Sequence, residues 1–222
     1  MEEASWDESP LLGFANPTDR VECNMRELSL HILDLVENAL TAGADRIAVR
    51  VEESTAADRL SIWVRDNGRG MPEEKIRHLE DPFVTTRKTR RVGLGLSLLA
   101  AAAKRCDGDL AVTTQPGRGT SVRADFRRSH IDLAPMGDIA ATIGVVLSAN
   151  PDVDFTYTHR VDEQHLTLNT RELNSELEGR ALSDPTVLHH LTVAIRRSLK
   201  NLTSGTTNRS SPREGKYDKT DL

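Results

Sequence analysis

Apolar positions recur along this chain with two periods, and the switches between them mark its elements. From Met25 to Thr41, the residues Leu28, Leu30, Ile32, Leu33, Leu35, Val36, Ala39 and Leu40 follow helical spacing, and Gly43 supplies a helix stop. Ile47–Val51 and Leu60–Val64 read as strands, joined by a polar turn from Ser54 to Asp58. Pro72 to Leu79 predicts a short helix with proline in its first turn. Leu94 to Cys106 is a long, Ala-rich apolar helix opened by a Gly-rich turn. Leu110–Thr114 and Thr120–Phe126 then predict a hairpin around Pro116-Gly117-Arg118-Gly119. Hairpin-joined strands with helices gathered between them predict an α+β sandwich with one mixed sheet.

After Ser129 the register changes. Met136 to Ser148 is a helical stretch closed by Asn150-Pro151, and Phe155–Val161 with His165–Leu168 predict a hairpin across Asp162-Glu163. Ser183-Asp184-Pro185 opens a last amphipathic helix running to about Leu202, with Asp184 as its cap. The expected organisation is a loosely ordered lead-in over 1–22 and a main domain over 23–128. A small C-terminal α/β unit follows over 129–202, and 203–222 are too polar to offset the entropy of ordering. The hairpin and last helix of the C-terminal unit offer a partner or homodimer surface, although packing against the main domain is the simpler reading.

Charge narrows the function. The 222 residues carry 29 Lys and Arg against 34 Asp and Glu, a net charge of −5, which argues against nonspecific nucleic-acid binding. No apolar run reaches the ~18 residues of a membrane span, and the acidic start lacks a signal peptide's basic and apolar segments. Cys23 and Cys106 have no zinc or disulfide-framework spacing and are expected to be inert thiols. The expectation is a cytoplasmic globular protein.

Three constellations carry candidate chemistry. Asp34 and Asn38 sit one turn apart on the first predicted helix and share a face, whereas Glu37 lies beside them. An amide oxygen next to a carboxylate suits Mg²⁺, which takes oxygen ligands and bridges to phosphates. The alternative is a solvated polar stripe. Asp66-Asn67-Gly68-Arg69-Gly70-Met71 follows a predicted strand; its carboxylate can accept from an exocyclic amine, and Gly68 and Gly70 allow a flat ligand to approach closely. An ordinary turn would have the same composition. Gly93-Leu94-Gly95-Leu96 leads straight into a helix, where backbone N–H groups and the helix dipole favour an anion. Just upstream, Thr85-Thr86-Arg87-Lys88-Thr89-Arg90-Arg91 packs four cations and three hydroxyls into seven residues, which suits a triphosphate. A solvated loop and tight glycine packing are the bland alternatives.

Taken in order, LDLVENALTAGA, DNGRGM, DPFVTTR, GLGL and GRGT resemble the GHKL (Bergerat) ATP-binding superfamily of histidine kinases, gyrase B-type topoisomerases, heat-shock chaperones and mismatch-repair ATPases. The resemblance covers roughly Met25 to Arg127 and implies a two-layer α/β sandwich that binds ATP with Mg²⁺. It implies that Asn38 coordinates the metal, that Asp66 bonds the adenine amino group with Gly70 lining the base pocket, and that Thr120 helps hold a water there. Gly93 and Gly95 would cradle phosphates. Residues 81–92 would form a lid, with Phe83, Thr85, Thr86 and Arg87 as its hinge and phosphate contacts.

One departure bears on mechanism. Where the ATPases of the superfamily carry a Glu that activates water, this chain has Asp34, one methylene shorter and of reduced reach. The DPFVTTR and GLGLSLL segments are more like those of histidine kinases. About two dozen residues precede the domain and none is His, so a sensor kinase carrying its own acceptor hairpin is not expected. His31 shares the face of Asp34 and Asn38, His78 falls before the lid, and His130, His159, His165, His189 and His190 lie beyond the domain; packing or surface roles are the default for each. The leading expectation is a stand-alone bacterial ATP-binding protein that transfers the γ-phosphate to a separate protein, in the manner of histidine kinases or anti-sigma serine kinases. The alternatives are an ATP-driven switch with slow hydrolysis and a nucleotide-sensing subunit without turnover.

Overall fold

The computed structural model describes residues 27–71, 94–177 and 180–205. In chain order the elements are α1 (Leu28–Thr41), β1 (Arg46–Ser54), β2 (Arg59–Asp66), α2 (Leu94–Arg105), β3 (Asp109–Gln115), β4 (Gly119–Arg127), α3 (Ile139–Ala149), β5 (Asp154–Val161), β6 (Gln164–Asn169), α4 (Thr170–Glu176) and α5 (Pro185–Gly205). The strands form one six-stranded sheet in the order β3-β4-β2-β1-β5-β6. It is mixed: β5 runs parallel to β1, and all other neighbours are antiparallel.

The period-2 alternation sets which face is covered. Ile47, Val49 and Val51 of β1, Leu60, Ile62 and Val64 of β2, Val122, Ala124 and Phe126 of β4, and Phe155 and Tyr157 of β5 are buried on one face. Against that face α2 packs over β3 and β4, α1 lies over β1 and β2, α5 lies over β5 and β6, and α3 fills the space between α1 and α5. The expected α+β sandwich with a mixed sheet is therefore the architecture observed.

The segment expected to be a second unit, 129–202, is joined to the first by backbone hydrogen bonding. β5 pairs with β1 from Arg46↔Asp154 to Glu53↔Val161, and one hydrophobic core runs from Leu28 and Val36 through Ile47 and Phe155 to Leu182 and Ile195. The first amides of α1, which no helix can satisfy internally, donate from Leu28 to Pro135 O at 2.9 Å and from Ser29 to Met136 O at 2.8 Å. Asp138 caps α3 through Ala141 N at 3.0 Å and accepts Arg196 Nη2 of α5 at 2.8 Å. Asp184 accepts Thr186 N at 2.7 Å, as its capping role requires, and α5 continues to Gly205, past the expected boundary at Leu202. The seven-residue α4, absent from the sequence reading, is capped by Asn169 through Arg171 N.

A buried polar chain crosses the β1–β5 junction. Tyr157 Oη lies 2.9 Å from His159 Nδ1, His159 Nε2 lies 3.0 Å from Glu53 Oε1, and Arg128 Nε donates to Glu53 Oε2 at 3.1 Å. Burial acts to raise the Glu53 carboxyl, but the bonds from His159 and Arg128 hold it below its ordinary range. Burial, with the Glu53 charge nearby, pushes the Tyr157 phenol up.

Candidate functional site

Asp66 ends β2 opposite Ile47, on the face that carries Leu60, Ile62 and Val64, so its carboxylate faces the helix layer. Its Oδ1 accepts Gly68 N at 2.8 Å and Thr120 N at 3.3 Å. Among the described residues, Oδ2 has no hydrogen-bond partner. The loop behind it is fixed by Asn67, whose Oδ1 accepts Asp45 N at 3.1 Å and Arg46 N at 2.9 Å while its Nδ2 donates to Asp45 Oδ1 at 2.6 Å. Arg69 N adds a bond to Ala42 O at the end of α1. The carboxylate is thus set before any ligand arrives.

Two glycines make that convergence possible. Gly119 (φ +91°) starts β4 so close to β2 that a Cβ would overlap the Asp66 carbonyl, and Gly70 (φ +66°) sits against the Gln115 carbonyl in the same way. Thr114, opposite Thr120 in the β3–β4 hairpin, is a residue that sequence reasoning missed. Its Oγ1 accepts Met71 N at 2.9 Å, donates to Gly119 O at 3.0 Å, and lies 3.1 Å from Thr120 Oγ1. With the Thr114 proton given to Gly119, Thr120 is the donor in that pair and keeps lone pairs to accept. Pairing outward from the Pro116–Gly119 turn would have found Thr114.

A second cluster lies on α1. Asn38 Nδ2 donates to Asp34 Oδ2 at 3.1 Å, with both side chains half-buried. That orientation leaves Asn38 Oδ1 available as an oxygen ligand. The Asp34 carboxylate rests against Gly95 in the first turn of α2, where a Cβ would overlap it. Glu37 is exposed, pointing away as the helical spacing predicted. The structure therefore brings Asp34, Asn38 and Gly95 into one cluster and Asp66, Gly68, Gly70 and Thr120 into another. A Cβ on Gly68 would lie 2.9 Å from Ala42 Cβ, just after the C-terminus of α1, so the same helix borders both clusters. The Leu96 side chain is part of the hydrophobic core, which leaves its backbone for the expected anion contact. Leu94 opens α2. Thr85, Thr86, Arg87 and Gly93, the 81–92 lid with Phe83, and the Pro72–Leu79 helix lie outside the described residues, as do Cys23 and His78.

His31, one turn before Asp34, is buried at 4% exposure, and its Nδ1 has no partner among the described residues. Burial lowers its pKa; the Asp34 charge opposes that shift and Arg105 adds to it. His159 is held in the core, His130 stands 4.0 Å from Asp107, and His165, His189 and His190 are exposed. Cys106 is buried, which pushes its thiol up, as expected of an unreactive cysteine.

Residues 24–130 match the family described as histidine kinase-, DNA gyrase B-, and HSP90-like ATPase. Over this segment, a little under half of its length, the chain is similar to the GHKL superfamily. The chain is 41% identical over 98 residues to the sensor protein kinase FleS of Pseudomonas aeruginosa, covering 44% of this chain and 24% of that protein. It is 30% identical over 94 residues to sporulation kinase C of Bacillus subtilis, covering 42% of this chain and 22% of that one. The chain thus spans about a quarter or less of the curated relatives it matches. The Aquifex aeolicus MutL ATPase domain complexed with ADP shares 17% identity and a TM-score of 0.43, covering 69% of this chain and 68% of that one. Among the described residues, no helix is long and apolar enough to cross a membrane.

Proposed function

We propose that this chain binds Mg-ATP and transfers the γ-phosphate to a separate protein partner. The observation that carries the reading is the Asp66 carboxylate: Oδ1 is held by two backbone amides, while Oδ2, without a partner among the described residues, can accept from a ligand. An exocyclic amine of adenine, a donor that needs an acceptor, fits that oxygen. Thr120 and Thr114 stand beside that carboxylate, with their hydroxyls 3.1 Å from each other.

The α1 cluster fits the rest of the ligand. Among the described residues no group of three His, Cys, Asp or Glu gathers to hold a metal. Mg²⁺ commonly keeps one or two protein oxygens and takes the remainder from phosphates and water, and Asn38 Oδ1 is such an oxygen. When bound there, the metal would neutralise phosphate charge. The chain's own part is to orient: Asp34 fixes the Asn38 amide, and Gly95 lets that carboxylate seat against the first turn of α2, where backbone N–H groups favour an anion. Thr85, Thr86, Arg87 and Gly93 are proposed to complete the phosphate contacts, and 81–92 to close as a lid.

A second reading has its own support. It is an ATP-driven switch, in which Asp34 would be the base and its short carboxylate, already accepting from Asn38, would keep hydrolysis slow. The test follows the label of γ-labelled ATP with Mg²⁺, using wild type and Asn38→Ala, alone and with proteins recovered by pull-down. Label on a partner that is lost with Asn38→Ala supports transfer, and its acid or alkali stability distinguishes His from Ser or Thr. Free phosphate alone supports the switch. Binding with neither product leaves a nucleotide sensor and removes the kinase reading.

A further inference from the structure

The face of the sheet turned away from the helices has a composition unlike the rest of the chain. Trp63 lies at its centre, with Arg50 on one neighbouring strand and Arg123 on the other, directly opposite in register. The two guanidinium carbons stand 5.5 Å and 5.1 Å from the centre of the indole ring. Each arginine is held by a carboxylate two residues along its own strand, Glu52 for Arg50 and Asp125 for Arg123. The pairs remain open to solvent: Arg50 and Arg123 keep 56% and 41% of their side-chain exposure.

Around this row the face is flat. Thr156 and Thr158 of β5, Thr167 of β6, Ala48 of β1, Ser121 of β4 and Ala111 of β3 occupy the same two registers. The one further charge in those registers is Arg65, opposite Ala48 and Ser121, and it has no ion pair among the described residues. A chain of net charge −5 therefore presents three arginines and no acid across two adjacent rows, and the acids begin in the next row with Glu52, Asp125 and Asp109.

We propose that this face is a docking surface for an extended, carboxylate-rich segment of a protein partner. Charge complementarity carries the argument: cations on a short-side-chain floor let an extended chain approach, and guanidiniums braced against an indole meet carboxylates with little ordering cost. Nucleic acid fits less well. Guanidiniums from both neighbouring strands already crowd the indole, so it is a poor platform for stacking a base. The surface lies across the sheet from the nucleotide clusters, and the proposal does not depend on them.

The test uses the full chain with Trp6→Phe, which leaves Trp63 as its sole tryptophan. Its fluorescence is followed while a short peptide alternating Ser and Glu is added, with a Ser/Lys peptide and an oligothymidylate of the same length as comparisons. The expected result is a saturable change with the glutamate peptide alone. Arg50→Gln with Arg123→Gln should weaken it about tenfold or more, whereas Lys200→Gln on α5 leaves it unchanged; unfolding midpoints verify that each variant is folded. No response to the glutamate peptide, binding indifferent to the arginine substitutions, or oligothymidylate binding as tight as the peptide would each overturn the proposal. Arg65→Gln alone, expected to weaken binding by a smaller factor, keeps the test decisive if the double variant fails to fold.

Discussion

The side-chain amide of Asn38 donates to Oδ2 of Asp34, one helical turn away, at 3.1 Å, and the same carboxylate fills the space over Gly95. The three residues form one arrangement, so a change at the glycine should act on the other two. Gly95→Ala places a methyl group where the carboxylate sits. It should weaken Mg-ATP binding by about tenfold, equivalent to about 1.4 kcal/mol. Stability should change little, because Ala is the better helix former by roughly 1 kcal/mol. Titration calorimetry together with thermal unfolding tests this, and lost stability with unchanged affinity would contradict it.

Two glycines in the left-handed conformation should separate by what lies over them. Gly43 and Gly70 both have positive φ, at +78° and +66°, but nothing lies within 4 Å of a Cβ at Gly43, whereas one at Gly70 meets the Gln115 backbone. Gly43→Ala should cost about 1 kcal/mol, the price of the left-handed conformation alone. Gly70→Ala should cost about 2–4 kcal/mol, because backbone must also move. Chemical denaturation measures both, and equal losses would show that the β3–β4 turn yields freely.

His31 predicts a direction of pH dependence. Burial holds its pKa below the ordinary 6.5, so the folded state binds the neutral ring. The stability this confers is fully present above about pH 6.5 and is lost as the pH falls toward the lowered value. Between about pH 7.5 and 5.5 the unfolding midpoint of the wild type should fall more than that of His31→Gln. Parallel falls would mean that His31 does not titrate with unfolding.

Glu53 has the opposite sign. Its folded pKa is below the ordinary 4.5, so its contribution is present above that value and is lost as the pH falls through the lowered one. Glu53→Leu would strand His159 and Arg128 and should cost about 2–3 kcal/mol. Glu53→Gln keeps one acceptor and should cost less. A smaller loss for Leu than for Gln would show that the polar chain is dispensable.

Much of this molecule was legible because its elements are strongly periodic. The first helix, both hairpins and the Asp184 cap were read from spacing, and Asp34 with Asn38 meet because four residues make one helical turn. Partner choice was not legible. No local pattern says that Asp154–Val161 should lie parallel to β1, so a shared sheet was read as a separate unit. α4 is seven residues long and mostly exposed, too short and polar for a periodic signal. Thr114 acquires its role through its register with Thr120, and Glu53 with His159 through a pairing more than a hundred residues apart. Such roles follow from tertiary pairing rather than residue type.

The proposed role of Asp66 in reading a base is tested most directly by Asp66→Asn. The amide oxygen can still accept from Gly68 N and Thr120 N, so the fold should hold, but an NH₂ replaces Oδ2 and meets an amine donor. Calorimetric titration with Mg-ATP should then show binding weakened by about tenfold or more with an unchanged unfolding midpoint. An affinity equal to wild type in a folded Asp66→Asn protein would contradict the assignment of the site.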